Sequence, residues 1–222
     1  MIYITGDTHG DYDDFLFRMR QTNISKDDTV IVCGDFGFVW NTSYEKNVLN
    51  WLSSEPYTIA FIDGNHEDFD LLKTYPVIKW RGGFVHRIAG NIYHLMRGQC
   101  FHIDGKSFFT FGGAYSIDKK YREEGKTWWP EELPSSEEYA VANQTLQQND
   151  FTFDYILTHT IPTFAIRQIG VSPDPHDAQL TGYLEWLYGK LQYKTWFAGH
   201  FHTNKLVQNR IQILHEQVVL LR

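Results

Sequence analysis

Five times in this chain an apolar, strand-like run ends in a short polar island: Gly6-Asp7-Thr8-His9, Gly34-Asp35, Gly64-Asn65-His66-Glu67, Thr158-His159 and Gly199-His200-Phe201-His202. Strand ends are where an α/β sheet exposes side chains and presents loops to a ligand, so the recurrence predicts several strands aimed at one place. Taken singly, none of these islands would say so. A lone Gly-Asp or Gly-Asn pair is ordinarily a turn, and a lone His after a strand is ordinarily a hydrogen-bonded core residue. Repetition in one chain is the informative feature.

The segments between the islands fit an α/β fold with mixed strands. From residue 1 to about 100, β-rich runs alternate with amphipathic ones, which puts strands in a central sheet and helices outside it. Met1 to Thr5, Thr29 to Cys33 and Tyr57 to Ile62 read as strands. Asp11 and Asp13 load the first turn of a helix reaching Gln21, with Phe15, Leu16 and Met19 on one face. Thr42 and Glu45 fit a capping box for a second helix that ends near Ser54. Ile92 to Met96, Cys100 to Ile103 and Ser107 to Phe111 alternate with period two and predict antiparallel strands, the last pair joined at Asp104-Gly105-Lys106. Residues 114–135 are polar, charged and aromatic together and read as a long loop or lid. A capping box at Ser135 and Glu138 then opens a helix to about Gln148. Phe153 to Leu157 is a strand, Ala178 to Leu191 a helix with a Leu180, Leu184, Leu187, Leu191 stripe, and Trp196 to Ala198 and Ile211 to Leu221 close with strands. With 222 residues, 42% of them hydrophobic, and no internal repeat or linker, one domain spanning 1–222 is expected.

The islands are rich in metal donors. Asp7 and His9 are two residues apart, as are His200 and His202, so on extended segments each pair points to one side and can chelate. A carboxylate such as Asp35 can bridge two cations, as in phosphate-processing sites. Asn65 adds a neutral oxygen, and the imidazoles of His9, His159, His200 and His202 favour transition metals over magnesium alone. The balance of 27 acidic against 20 basic residues gives a net charge of −7, which argues against general binding of duplex nucleic acid. Cys33 and Cys100 are the only cysteines and are expected to be free thiols of a reducing compartment. Met1 to Thr5 runs straight into the first island, leaving no room for a cleavable leader, and no segment approaches the roughly 20 apolar residues of a membrane span. A cytoplasmic protein is expected.

The order and content of GDTHG, GD, GNHE, TH and GHFH resemble the calcineurin-like metallophosphoesterase superfamily over nearly the whole chain. That resemblance implies a four-layer α-β-β-α sandwich, with two central mixed sheets flanked by helices. It implies two divalent ions, manganese, iron or zinc: Asp7, His9 and His202 on one, Asn65, His159 and His200 on the other, and Asp35 bridging. The implied reaction is hydrolysis of a phosphate ester, monoester or diester, by water activated between the ions. His66 resembles the family histidine that protonates the leaving oxygen; otherwise it binds phosphate electrostatically from the start of a short helix opened by Asn65 or Asp63. Asp63 or Asp68 would orient it.

The second island departs from the phosphoprotein phosphatase branch, where Gly-Asp-x-x-Asp-Arg continues the motif. Phe38 and Val39 stand where that Asp and Arg would be, so small-molecule or nucleotide esters are expected rather than phosphoproteins. The stretch from Phe111 to Trp129 is similar, more loosely, to small bacterial and phage-type members. There Arg122 could replace the missing phosphate clamp, and Tyr115 and Trp128 could stack on a base or sugar; the alternative is a charged surface loop pinned by buried tryptophans. A nuclease or cyclic phosphodiesterase is the alternative enzyme, and a non-catalytic scaffold of the same fold is the alternative class. No protein partner is indicated.

Overall fold

Runs of three to six residues pair into two sheets, and amphipathic runs cover them. The computed structural model describes residues 1–221. In chain order it has β1 (Ile2–Thr5), α1 (Tyr12–Arg20), β2 (Thr29–Val32), α2 (Ser43–Ser53), β3 (Thr58–Phe61) and the single-turn α3 (Phe69–Leu72). Next come β4 (Val77–Trp80), β5 (Gly83–Arg87), β6 (Ile92–Leu95), β7 (Gln99–Ile103) and β8 (Lys106–Phe111). After a long connection come α4 (Ser136–Gln148), β9 (Tyr155–Thr158), α5 (Thr163–Gln168), α6 (Ala178–Lys190), β10 (Thr195–Ala198), β11 (Lys205–Val207), β12 (Ile211–Ile213) and β13 (Val218–Leu221).

The first sheet has seven strands in the order β13-β1-β2-β3-β6-β5-β4, and the second has six in the order β11-β12-β10-β9-β8-β7. β1, β2, β3 and β6 run parallel, as do β8, β9, β10 and β12, with antiparallel strands at the margins of both sheets. β6 therefore belongs to the first sheet, parallel to β3 and antiparallel only to β5, whereas β7 and β8 form the expected hairpin in the second.

Side-chain alternation builds the layers. In β1 and β2, Ile2, Ile4 and Ile31 point between the sheets, where they meet Phe101, Phe108, Tyr155 and Phe197. Tyr3, Val30 and Val32 point the other way, onto Phe15 and Met19 of α1 and Val48 and Leu52 of α2. On the far side, Phe109, Ile156 and Trp196 pack against Leu146 of α4 and Leu180, Leu184 and Leu187 of α6. The result is the expected four-layer α-β-β-α sandwich. Each large apolar side chain buried this way contributes about 1.5–3 kcal/mol.

Three local expectations are corrected. Ser135 and Glu138 form the complete capping box of α4, but Thr42 makes no side-chain bond at the start of α2. Thr42 is exposed, so water can serve the free amides of that first turn. The short helix after the third island is α3, capped by Asp68 through Leu71 N at 2.9 Å, so neither Asp63 nor Asn65 opens it. The hairpin β4–β5 was not anticipated; its turn at Arg81-Gly82 takes positive φ at both residues, 49° and 105°. No helix among the described residues is long and apolar enough to cross a membrane.

Candidate metal centre

All five islands fall at the carboxyl ends of parallel strands. β1, β2 and β3 of the first sheet lead into Asp7, His9, Asp35 and Asn65, while β9 and β10 of the second lead into His159, His200 and His202. The site thus lies across the junction of the two sheets, at the sheet ends where α/β proteins bind ligands.

The sequence-predicted donors converge. One donor atom each from Asp7, His9 and His202, and one each from Asp7, Asp35 and His159, lie within 4.8 Å of one another, which makes each trio able to hold a metal ion. His202 Nε2 is 3.3 Å from Asp7 Oδ2, and His159 Nε2 is 3.4 Å from Asp35 Oδ2. Asn65 Oδ1 lies 3.2 Å from His159 Nε2, and the rings of His159 and His200 are 5.0 Å apart. His159 Nδ1 faces the Cys33 carbonyl at 2.8 Å, so the proton belongs on Nδ1 and Nε2 is left as the donor toward the site.

The chelating pairs are not extended, as their spacing had suggested. His9, Asp35, His200 and His202 have φ of 46°, 48°, 70° and 45°, a region disfavoured for residues with a Cβ. The backbone turns at once after Asp7, because Thr8 N and His9 N both donate to the Asp35 carbonyl. Four strained positions among seven candidate donors indicate that the surrounding structure holds these side chains against local preference. The island glycines have a matching role. A Cβ on Gly34 would collide with the His159 ring, one on Gly64 with the Asp35 carboxylate, and one on Gly199 with the Asp7 carboxylate.

Charge makes the same case for a cation. Asp7 and Asp35 are buried together. Burial opposes their ionisation, yet the neighbouring imidazoles hold both carboxyls below the usual range, the main partners being His202 for Asp7 and His159 for Asp35. His159, in turn, overcomes its own burial through Asp35 and Asp7, and its pKa is pushed up to about 10. The two carboxylates thus draw positive charge toward the space between them, a place that a divalent ion fits. His200 goes the other way, down to about 3, through burial and the charge on His159.

Around this cluster lies a cleft of about 360 Å³ whose lining includes His66, Tyr115, Ile117, Asp118 and Phe201. His66 N donates to Asp35 Oδ1 at 2.7 Å, and the His66 ring meets that of His9 at 5.3 Å. Arg122 Nη2 is 2.8 Å from the His66 ring nitrogens, and Arg122 Nε donates to Asp118 at 2.9 Å. Burial, with help from Arg122, lowers the pKa of His66. Neither Asp63 nor Asp68 orients His66. Asp63 instead accepts from Arg97 Nε at 2.8 Å and faces His94 Nε2 at 3.2 Å, while Asp68 is the cap of α3.

Of the loop residues, Tyr115 reaches the cleft and stacks on His176, with centroids 4.8 Å apart. Trp128 does not. It is buried, and the Lys119 ammonium sits 3.7 Å from its ring centre, so that face is closed to a base. Several supporting residues had no motif to announce them. Buried Arg18 donates to the carbonyls of Gly6, Asp7 and His215 and fixes the first island. Glu67 accepts from Phe36 N at 2.8 Å, tying the third island to the second. Arg97 bridges Asp63 to Glu138 and to the Glu131 carbonyl. Glu67 is the last residue of the third island, and that place was the one available signal among them.

A four-layer fold with acidic and imidazole donors converging at the sheet ends defines a candidate metal centre. The model of the calcineurin-like phosphoesterase family matches residues 1–204, and the chain belongs to that family. It is therefore a phosphoesterase, and the family implies divalent metal ions. The solved structure of the phosphopantetheinyl hydrolase of Mycobacterium tuberculosis is similar in fold, with a TM-score of 0.52 at 14% identity, covering 96% of this chain and 87% of that one. No curated protein matches the chain.

Proposed function

We propose that this chain hydrolyses a phosphate ester of a small molecule or nucleotide at a two-metal centre. In this reading Asp7, His9 and His202 hold one divalent ion, Asn65, His159 and His200 the other, and Asp35 is shared. The observation that carries it is the meeting of donor atoms of Asp7, His9 and His202, and of Asp7, Asp35 and His159, at the junction of the sheets, with His66 lining the same cleft and Arg122 against it. Such ions, manganese, iron or zinc, would supply the positive charge that brings water toward ionisation near neutral pH and offsets charge on the phosphoryl oxygens.

The chain's own groups do the rest. Arg122 lies against His66 and is placed to bind the phosphoryl oxygens as they enter. His66, kept low in pKa by burial and by Arg122, gains affinity for a proton once an anion sits between them. It then gives that proton to the leaving oxygen. Ile117 and Phe201 offer apolar surface to the organic part of the ester. The nuclease alternative drew on the aromatic loop, and burial of Trp128 removes one of its rings. The two free cysteines suit a cytoplasmic setting.

A phosphate-release screen with added manganese tests the reading across mononucleotides, dinucleotides, sugar phosphates, a phosphopantetheinyl ester and simple diesters. Chelator-sensitive hydrolysis with two ions bound per chain is expected. His66→Ala should keep both ions and lose turnover by about 10²–10⁴-fold, most on esters with poor leaving groups. A protein that takes up no metal and hydrolyses nothing would return the chain to the scaffold class.

A further inference from the structure

The cations of the 114–135 segment are almost all engaged away from the cleft. Lys119 covers Trp128, Lys120 lies 4.8 Å from the ring centre of Tyr121, and Lys126 pairs with Glu123. No lysine or arginine lines the cleft itself, and Arg122 reaches it through His66. Arg122 is in turn flanked by two carboxylates: Asp118, which lines the cleft, at 2.9 Å from Nε, and Glu132 Oε1 at 3.8 Å from Nη1. Glu132 is 1% exposed, and neither of its oxygens has a hydrogen-bond partner. Its main chain is fixed, because Arg97 Nη2 donates to the Glu131 carbonyl at 2.8 Å and Arg97 is itself locked on Asp63. A buried carboxylate that has a guanidinium nearby but no hydrogen bond is costly to keep on a rigid support.

We infer that Asp118 and Glu132 neutralise the phosphate-binding arm around Arg122 and so select monoanionic phosphodiesters over dianionic phosphomonoesters. The inference rests on the hydrolytic reading above and names its substrate class. One non-bridging charge fits an arm whose guanidinium is already balanced. A second unesterified oxygen would meet Asp118 at the cleft and be repelled, with Glu132 adding its charge from behind Arg122. The apolar lip agrees, since Ile117 is 79% exposed at the cleft and, with Tyr115 and Phe201, offers a place for a second organic group. Water adds its oxygen to phosphorus, the P–O bond to one alcohol breaks, and that oxygen leaves with one proton. The products are an alcohol and a monoester, and the monoester's second charge favours its release.

The test uses the manganese-loaded full chain above pH 8, where Glu132 carries its charge, on a matched pair, an aryl phosphate and the bis-aryl diester of the same alcohol. Wild type is expected to have the higher kcat/KM on the diester. Asp118→Asn and Glu132→Gln should each shift the ratio toward the monoester by about tenfold, mainly through KM. Asp118 is half exposed, so its variant carries the test even if Glu132→Gln does not fold. A wild type that prefers the monoester, or variants that change both substrates equally, would overturn the inference while leaving the enzyme reading intact. Hydrolysis of neither ester would instead defeat the reading beneath it.

Discussion

Glu132 illustrates how a single residue can be held in an unfavourable state by its neighbours. Burial, partly offset by the nearby Ser116 side chain and Arg122, raises its carboxyl from 4.5 to about 7. Between those values the folded chain keeps a proton that the unfolded chain has lost, so this group's contribution to stability falls as pH rises through that window. Glu132→Gln cannot ionise. Its thermal midpoint should match that of the wild type near pH 4.5 and exceed it above pH 7; a gap that stays constant from pH 4.5 to 8 would show that the carboxylate is well accommodated. His159 shows the opposite arrangement, where two carboxylates hold a proton on a buried ring. The sequence announced His159 by its place after a strand, but it gave no sign of Glu132, since a glutamate in a charged loop resembles any solvated one.

Among the elements, the helix starts separate cleanly. Ser135 accepts from Glu138 N at 3.2 Å, and Glu138 Oε2 accepts from Ser135 N at 2.7 Å, so two end amides of α4 are satisfied reciprocally. Ser135→Ala should cost about 1 kcal/mol in denaturant unfolding, whereas Thr42→Ala at the bond-free cap of α2 should cost less than about 0.5 kcal/mol. Both segments carry the same pattern of residues and both caps are exposed, so sequence could not rank them; the side-chain bonds do. The strands that end in islands were legible because each combined an apolar run with a polar stop. β4 and β5 are less legible, because their strands alternate more buried with more exposed side chains and end in no polar island, leaving the turn at Arg81-Gly82 as their one mark. The turned conformation of His9 and His202 was illegible for a different reason. Spacing of two residues implies a common side only on an extended backbone, and the bonds from Thr8 and His9 to Asp35 are long-range.

For the whole molecule, the donors come from both sheets, so ion binding should stabilise the entire fold. A ligand at one hundred times its dissociation constant contributes about 2.7 kcal/mol, which for a chain of this size is roughly 5–10 °C. Manganese added to the metal-stripped protein should raise the midpoint by that order, and Asp35→Asn should abolish most of the rise. An equal rise in both proteins would place the ions elsewhere. Arg97 adds a second long-range tie, joining the end of β3 through Asp63 to the capped start of α4.

Since Asp7, Asp35 and Asn65 ride on one sheet and His159, His200 and His202 on the other, the filling between the sheets acts as a gauge block that sets the distance between the two groups of candidate donors. In the two-metal reading proposed above, Phe101, Phe108 and Tyr155 would thereby gain a say in which cation radius is accepted, although none of them is among the candidate donors. Trimming one of those rings would let the two halves settle closer or slide, and metal preference would drift before the fold gave way.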